Sequence, residues 1–202
     1  MMSVSHAVNE DLRAKLLEMQ AEDSRTRSEL ERTGELFDGY AKRLEAIHVR
    51  NADALEAIIE THGWPGFSLV GPDGARAAWF VLQHSISRPG LMRKCLPLIR
   101  AASERQDVEA AYPAYLEDRI ACFEGRPQRY GTQFDWDENG VLNPKPLEQA
   151  ARVDEYRASV GLNPLAERTL QIRSELGNER PPENVAERQR QAAAWARSVG
   201  WR

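Results

Sequence analysis

The strongest constraint on this chain is a helical apolar stripe that recurs along it and is repeatedly broken by polar side chains. Leu12, Leu16, Met19 and Leu30 recur at intervals that stack on one face of a helix. Asp23 stands seven residues after Leu16, inside that stripe, and Arg27 (or Thr26) continues it one turn later. Asp23 and Arg27 are spaced to pair at i,i+4. A second stripe, through Leu36, Phe37, Tyr40, Leu44, Ile47, Leu55 and Ile58, is interrupted by His48 and Asn51. Ala77 to Leu82 is apolar all round, the mark of a buried central helix, and it ends in Gln83 and His84. Arg119 follows Tyr115 by four and Tyr112 by seven, with Asp118 beside it. Burying an unpaired polar group costs about 1–3 kcal/mol, and more for a charge. These groups therefore satisfy one another, hold water, or line a pocket.

The periodicity divides the chain into helices at about 8–32, 35–61, 75–85, 89–105, 108–124, 147–160, 164–176 and 183–199. Phe67–Val70 reads as a short extended piece, and Gly71-Pro72-Asp73-Gly74 as a turn with Asp73 capping the next helix. Asp137-Glu138-Asn139-Gly140 marks a hairpin within a 128–146 loop insertion. Gly161 suits a left-handed helix end, Asn163-Pro164 a cap with a first-turn proline, and 177–182 a linker to the last helix. The expected fold is mainly α: a single helical domain over residues 1–202, a bundle of about seven or eight helices with a small β-hairpin.

Composition narrows the function classes. The net charge of −4 argues against general nucleic-acid binding, which requires a basic face. The longest apolar run is far short of a bilayer span, so no membrane partner is expected. The first residues lack the apolar core of a leader. Cys95 and Cys122 stand 27 residues apart without a neighbouring ligand, which reads as two reduced, buried thiols in a cytoplasmic protein. Asp135-x-Asp137-x-Asn139-Gly140 begins like a calcium loop, but Pro146 stands where the twelfth-position acid belongs. Gly71-Pro72-Asp73-Gly74 lacks the lysine and spacing of a phosphate-binding loop. No cofactor and no metal is expected on these grounds.

A set of motifs carries a resemblance. Gly63-Trp64-Pro65, Ala77-Ala78-Trp79 with Gln83-His84, Tyr115-Leu116-x-Asp118-Arg119-Ile120 and Gly125-x-Pro127-Gln128-x-Tyr130-Gly131-Thr132-Gln133 together resemble an uncharacterised bacterial domain family of unknown function. The resemblance extends to Met19-x-x-x-Asp23, Phe37-Asp38-Gly39-Tyr40 and the stretch from Val153 to Leu165. It implies a fold unit and a set of polar motif positions, not a reaction.

Two functions fit these residues. The first is a metal-independent enzyme, a hydrolase or transferase, acting on a small polar or anionic molecule in an interior pocket. His84 would be the general acid/base, with Asp23, Asp118 or Glu117 orienting it. Arg119 and Arg27 would meet an anionic group, and Gln83, Asn51, Gln128, Tyr130, Thr132 and Gln133 would supply further contacts. Gly131 would let the backbone approach the ligand. The second is a non-catalytic ligand- or protein-binding module of immunity or regulatory type. That module calls for an exposed aromatic patch, with Trp64, Trp136 and Trp201 as candidates. The bland alternative for each polar residue is a satisfied core network or a loop tied by its own side chains.

Overall fold

The computed structural model describes residues 7–33, 40–176 and 181–202. Among these, eight α-helices and one two-stranded antiparallel hairpin form a mainly α chain. The chain divides into two compact units, residues 1–109 and 110–202. The expected stop at Gly34, the second-helix start at Glu35 and most of the 177–182 linker lie outside the described residues.

The first unit is built on α1 (Glu10–Thr33), α2 (Lys42–His62), α3 (Phe67–His84) and α4 (Pro89–Glu104). Asn9 opens α1 by accepting from the Leu12 amide at 3.1 Å. The stripe Leu16, Met19, Asp23, Thr26 and Leu30 is buried. The register thus selects Thr26 for the interior and leaves Arg27 exposed, so Arg27 does not join Asp23 there. In α2 the buried face runs through Leu44, Ile47, His48, Asn51, Ala52, Leu55, Ile58 and Ile59. The central helix α3 packs against both α1 and α2. Its Ala77, Ala78, Val81 and Leu82 are buried, while Trp79 and Phe80 are half-buried.

Phe67–Val70 is helical, not extended as its sequence suggests. The reason lies in a distant residue. Asp107 accepts from the Phe67 amide through its backbone oxygen at 2.8 Å and from the Ser68 amide through Oδ1 at 2.7 Å. Two free N–H groups of a helix start are thereby satisfied. The same engagement of Asp107 delays the fifth helix, which the sequence places from Val108. Within α3 the helical path breaks only at Gly71, where φ is 71° and ψ 171°. Asp73 is more than a cap: its carboxylate takes two bonds from the Arg13 guanidinium, at 2.8 and 2.6 Å, tying α1 to this break.

The second unit contains α5 (Tyr112–Phe123), strands β1 (Phe134–Trp136) and β2 (Leu142–Pro144), α6 (Val153–Ser159), α7 (Leu165–Glu175) and α8 (Val185–Ser198). Trp136 pairs with Leu142 next to the turn. Asp137 supports that turn by accepting from the amides of Asn139 and Val141 and from the Asn143 side chain, so the calcium-like string serves a hairpin. The sixth helix starts at Val153, after a 3₁₀ turn at Ala150–Arg152, and not at Leu147. Gln128 forms a bridge with Leu147, donating to the Pro146 oxygen and accepting from the Glu148 amide, and so occupies backbone groups a helix would need. The α7 start is capped by Asp154, whose Oδ1 accepts from the Leu165 amide at 2.8 Å. Asn163, the expected cap, is used by Arg157 instead. At the C-terminal end Trp201 stacks on Phe123 with ring centroids 5.0 Å apart.

Trp64 and Trp201 are buried and Trp136 is half-buried, so they do not make an exposed aromatic patch. Among the described residues no helix is long and apolar enough to cross a membrane. Both cysteines are free; Cys95 is buried, but Cys122 is half-buried, contrary to expectation.

Candidate functional site

Three helices of the first unit bring their polar interruptions together. Asp23 comes from the middle of α1, His48 from the second turn of α2, and His84 is the last residue of α3. Asp23 is 1% exposed and His48 8%. The His84 side chain is 24% exposed and is the member that reaches the surface. The two imidazole centroids are 4.9 Å apart, and Phe80 packs against the His84 ring at 4.1 Å.

Both imidazoles crowd one carboxylate oxygen. His84 Nδ1 lies 2.9 Å from Asp23 Oδ2 in a well-formed hydrogen bond. His48 Nε2 lies 2.8 Å from the same oxygen, close enough to help hold the carboxylate charged but poorly aligned for a hydrogen bond. Asp23 Oδ1 is buried and has no hydrogen-bond partner among the described residues. Burial works to raise the Asp23 pKa, but the adjoining imidazoles outweigh it and hold the carboxyl well below the usual range. Asp23 is therefore ionised at neutral pH.

On its other side, His48 Nδ1 lies 2.6 Å from the Tyr40 hydroxyl. Tyr40 is in turn hydrogen-bonded to Ser87, and burial pushes its hydroxyl up to about 12, so it stays protonated. Ser87 Oγ donates to Glu45 Oε1 at 3.3 Å. Asn51, one turn after His48, is buried and donates to the Met19 backbone oxygen at 3.3 Å, so its amide braces α2 against α1.

Asp23, His48 and His84 each offer one ligand atom, and these atoms all lie within 4.8 Å of one another. Two imidazoles and one carboxylate from three helices suit a transition-metal ion and leave coordination positions open. Sequence reading missed this grouping. It singled out Asp23 and His84, noted His48 only as an interruption, and placed Tyr40 on an apolar face.

Most of the remaining site candidates form a different kind of cluster, in the second unit. Asp118 is fully buried on α5 and accepts from the amides of Arg129, Tyr130 and Thr132 at 2.8, 3.0 and 2.9 Å. The Thr132 hydroxyl adds a fourth bond at 2.9 Å. Burial is the larger influence on the Asp118 carboxyl and leaves its pKa raised, against the pull of these bonds. Gln128 is equally buried: its Nε2 donates to the Gln133 and Lys145 oxygens, and its Oε1 accepts from the Gln133 amide. Arg157, 1% exposed, donates to the backbone oxygens of Tyr130 and Asn163 at 2.7 and 2.6 Å. Gly131 has φ +64°, and a Cβ there would sit 2.8 Å from Leu165 Cδ1, so its close approach is to Leu165. The Gln128–Gln133 segment is tied down by its own neighbourhood. Arg119 and Gln83 are half-buried, and burial pulls Arg119 down to about 10.

A model of a family of unknown function matches residues 10–177, which takes in both clusters. The chain belongs to that family, DUF6624. No curated protein and no solved structure matches it. The DUF6624 match ends before α8, so the family unit includes the Asp23–His48–His84 group and the Asp118 loop.

Proposed function

We propose that the first unit of this DUF6624 protein carries a divalent transition-metal centre, ligated by Asp23, His48 and His84. The centre would serve hydrolysis or group transfer on a small polar or anionic molecule. A metal held by three protein ligands lowers the pKa of bound water and polarises a bound oxygen. The observation that carries this reading is the pair of buried atoms Asp23 Oδ1 and His48 Nε2. Neither has a well-aligned hydrogen bond among the described residues, although His48 Nε2 stands 2.8 Å from a carboxylate oxygen. A cation would engage both.

The ligand set favours zinc, cobalt or ferrous iron over magnesium or calcium, which prefer oxygen donors. Ligand atoms around a tetrahedral zinc stand about 3.3 Å apart, so loading would spread the present 2.8 and 2.9 Å contacts by about half an ångström. His84, at the surface end, marks the side from which water or substrate arrives. The two free thiols fit a reducing, cytoplasmic setting.

The test is calorimetric titration of chelator-treated, tag-free protein with Zn²⁺, Co²⁺, Mg²⁺ and Ca²⁺. One Zn²⁺ or Co²⁺ per chain at micromolar affinity or tighter is expected, lost in His48→Ala and His84→Ala. Equal and weak response to all four ions would overturn the metal centre and leave a metal-free aspartate–histidine pair. Thermal-shift screening of the zinc-loaded protein and of His84→Ala with small anionic metabolites then searches for the substrate.

A further inference from the structure

Arg27, the cation that helical spacing pairs with Asp23, is left over by the fold, and the register of α1 against α3 shows where it stands. The Asn9 amide donates to the Leu69 oxygen at 2.8 Å, the Arg13 guanidinium bonds Asp73 at 2.8 and 2.6 Å, and Asp23 meets His84 at 2.9 Å. Contacts that advance together along both helices mean that α1 and α3 run parallel. From Arg13 to Asp23 is ten residues and from Asp73 to His84 eleven, so α3 ends level with Asp23. Beyond it the chain turns away to α2: Ser87 Oγ donates to Glu45 Oε1 at 3.3 Å, and Arg88 donates to Asp53 and Glu56. Arg27 lies four residues past Asp23, about 6 Å further along α1, where α3 no longer runs beside it.

α1 has two edges. Glu22 and Glu29 mark the one facing α2, through ion pairs to Arg50 and Arg43, and Arg13 marks the one facing α3. At about 100° per residue, Arg27 is turned about 40° from Asp23 toward the Arg13 edge, whereas Glu29 is turned about 120° the other way. Arg27 is therefore on the α3 side, just past the end of α3. Helical side chains lean back toward the helix N-terminus, here toward the level of Asp23 and His84. His84 is also the member of the group that reaches the surface. Arg27 is exposed and has no hydrogen bond or ion pair among the described residues, unlike Arg13 and Arg25 on the same helix.

We infer that Arg27 grips the anionic group of the substrate while the ion held by Asp23, His48 and His84 takes one of that group's oxygens. This role rests on the metal centre proposed above and narrows its substrate to a molecule that carries a phosphate or a carboxylate. A divalent ion with a single carboxylate ligand leaves the site with net positive charge. A guanidinium beside it adds paired N–H donors in a planar fork that matches the remaining oxygens of such a group. A solvated surface cation with no such role would behave like Arg32, which is also exposed and lies nine residues past Asp23, on the opposite face of α1.

The test is calorimetric titration of inorganic phosphate, and of imidazole as a neutral metal ligand, into wild type, Arg27→Gln, Arg27→Lys and Arg32→Gln. Each full-length chain is titrated zinc-loaded and freed of excess ion, and again after chelation. Arg27→Gln should bind phosphate about tenfold or more weakly than wild type, with imidazole binding unchanged. Arg27→Lys keeps the charge without the fork and should recover part of the loss. Arg32→Gln should match wild type. Equal phosphate affinity in wild type and Arg27→Gln overturns the inference, and so does an equal loss in Arg32→Gln, which marks a general surface field. Phosphate that binds wild type in neither state also overturns it. A chain that takes up no zinc removes the metal centre, while a phosphate loss specific to Arg27→Gln after chelation upholds the anion site, so the two fail separately.

Discussion

Two buried carboxylates, Asp23 in the first unit and Asp118 in the second, sit on inner helix faces and are almost equally hidden from water. Their surroundings differ in kind. Asp118 receives three backbone amides and a hydroxyl, and its neighbours Gln128 and Arg157 likewise spend their polar atoms on backbone. Asp23 receives side chains only: one oxygen is shared by two imidazoles and the other is left over. A polar group that closes its hydrogen bonds on backbone holds a segment in place. One that gathers other titratable side chains, with capacity unused, is a place where a ligand finds partners. Burial alone does not separate the two; the identity of the partners does.

The contrast predicts the largest stability loss at Asp118. Asp118→Ala strands three partly buried amides, each worth about 1–3 kcal/mol, so a loss of about 3 kcal/mol or more is expected. Urea unfolding reads the size, and amide exchange at Arg129, Tyr130 and Thr132 should accelerate most. Protection unchanged at those amides would mean the loop is held by something else. Arg157→Met comes next, at about 2–3 kcal/mol, because it keeps much of the volume but leaves the Tyr130 and Asn163 oxygens without their donor. Gly131→Ala should cost about 1–2 kcal/mol through its left-handed φ and the Leu165 contact. A thermal melt unchanged by that substitution would show that the loop relaxes freely.

Much of the scaffold is legible in the sequence, and so is half of the site. Helical spacing locates α1, α4, α7 and α8 within a few residues, since each carries its own pattern and stop signals. It errs where a distant residue intervenes: Asp107 makes Phe67–Val70 helical, and the bridge from Gln128 delays α6. Asp23 and His84 stand out as polar residues in apolar surroundings. The grouping with His48 does not, because the ligands lie 25 and 36 residues apart on three helices and show no short metal-binding spacing. Asp118 has the same sequence signature as Asp23, and only the folded chain shows that its partners are backbone amides. Arg157 is legible only as one position of the Val153–Leu165 resemblance, because α6 is too short to display a stripe.

The smallest stability effect is expected at Asp23, and it is the sharpest test of the contrast. Asp23→Asn keeps the shape of the side chain and an oxygen that accepts from His84 Nδ1. No backbone amide depends on it, and Oδ1 has no bond to lose among the described residues. In chelator the variant should therefore unfold within about 1 kcal/mol of wild type, far from the loss at Asp118. Zinc should then separate them. A ligand that binds only the folded state stabilises it by about 2.7 kcal/mol at one hundred times its dissociation constant. Wild type should gain that increment in urea unfolding, and Asp23→Asn should gain almost none, since the amide offers zinc a neutral and weaker donor. An Asp23→Asn variant that loses several kcal/mol in chelator would place Asp23 with Asp118, as a group whose work is to hold the fold. Equal zinc stabilisation of the two chains would remove the carboxylate from the metal centre even if the histidines remain in it.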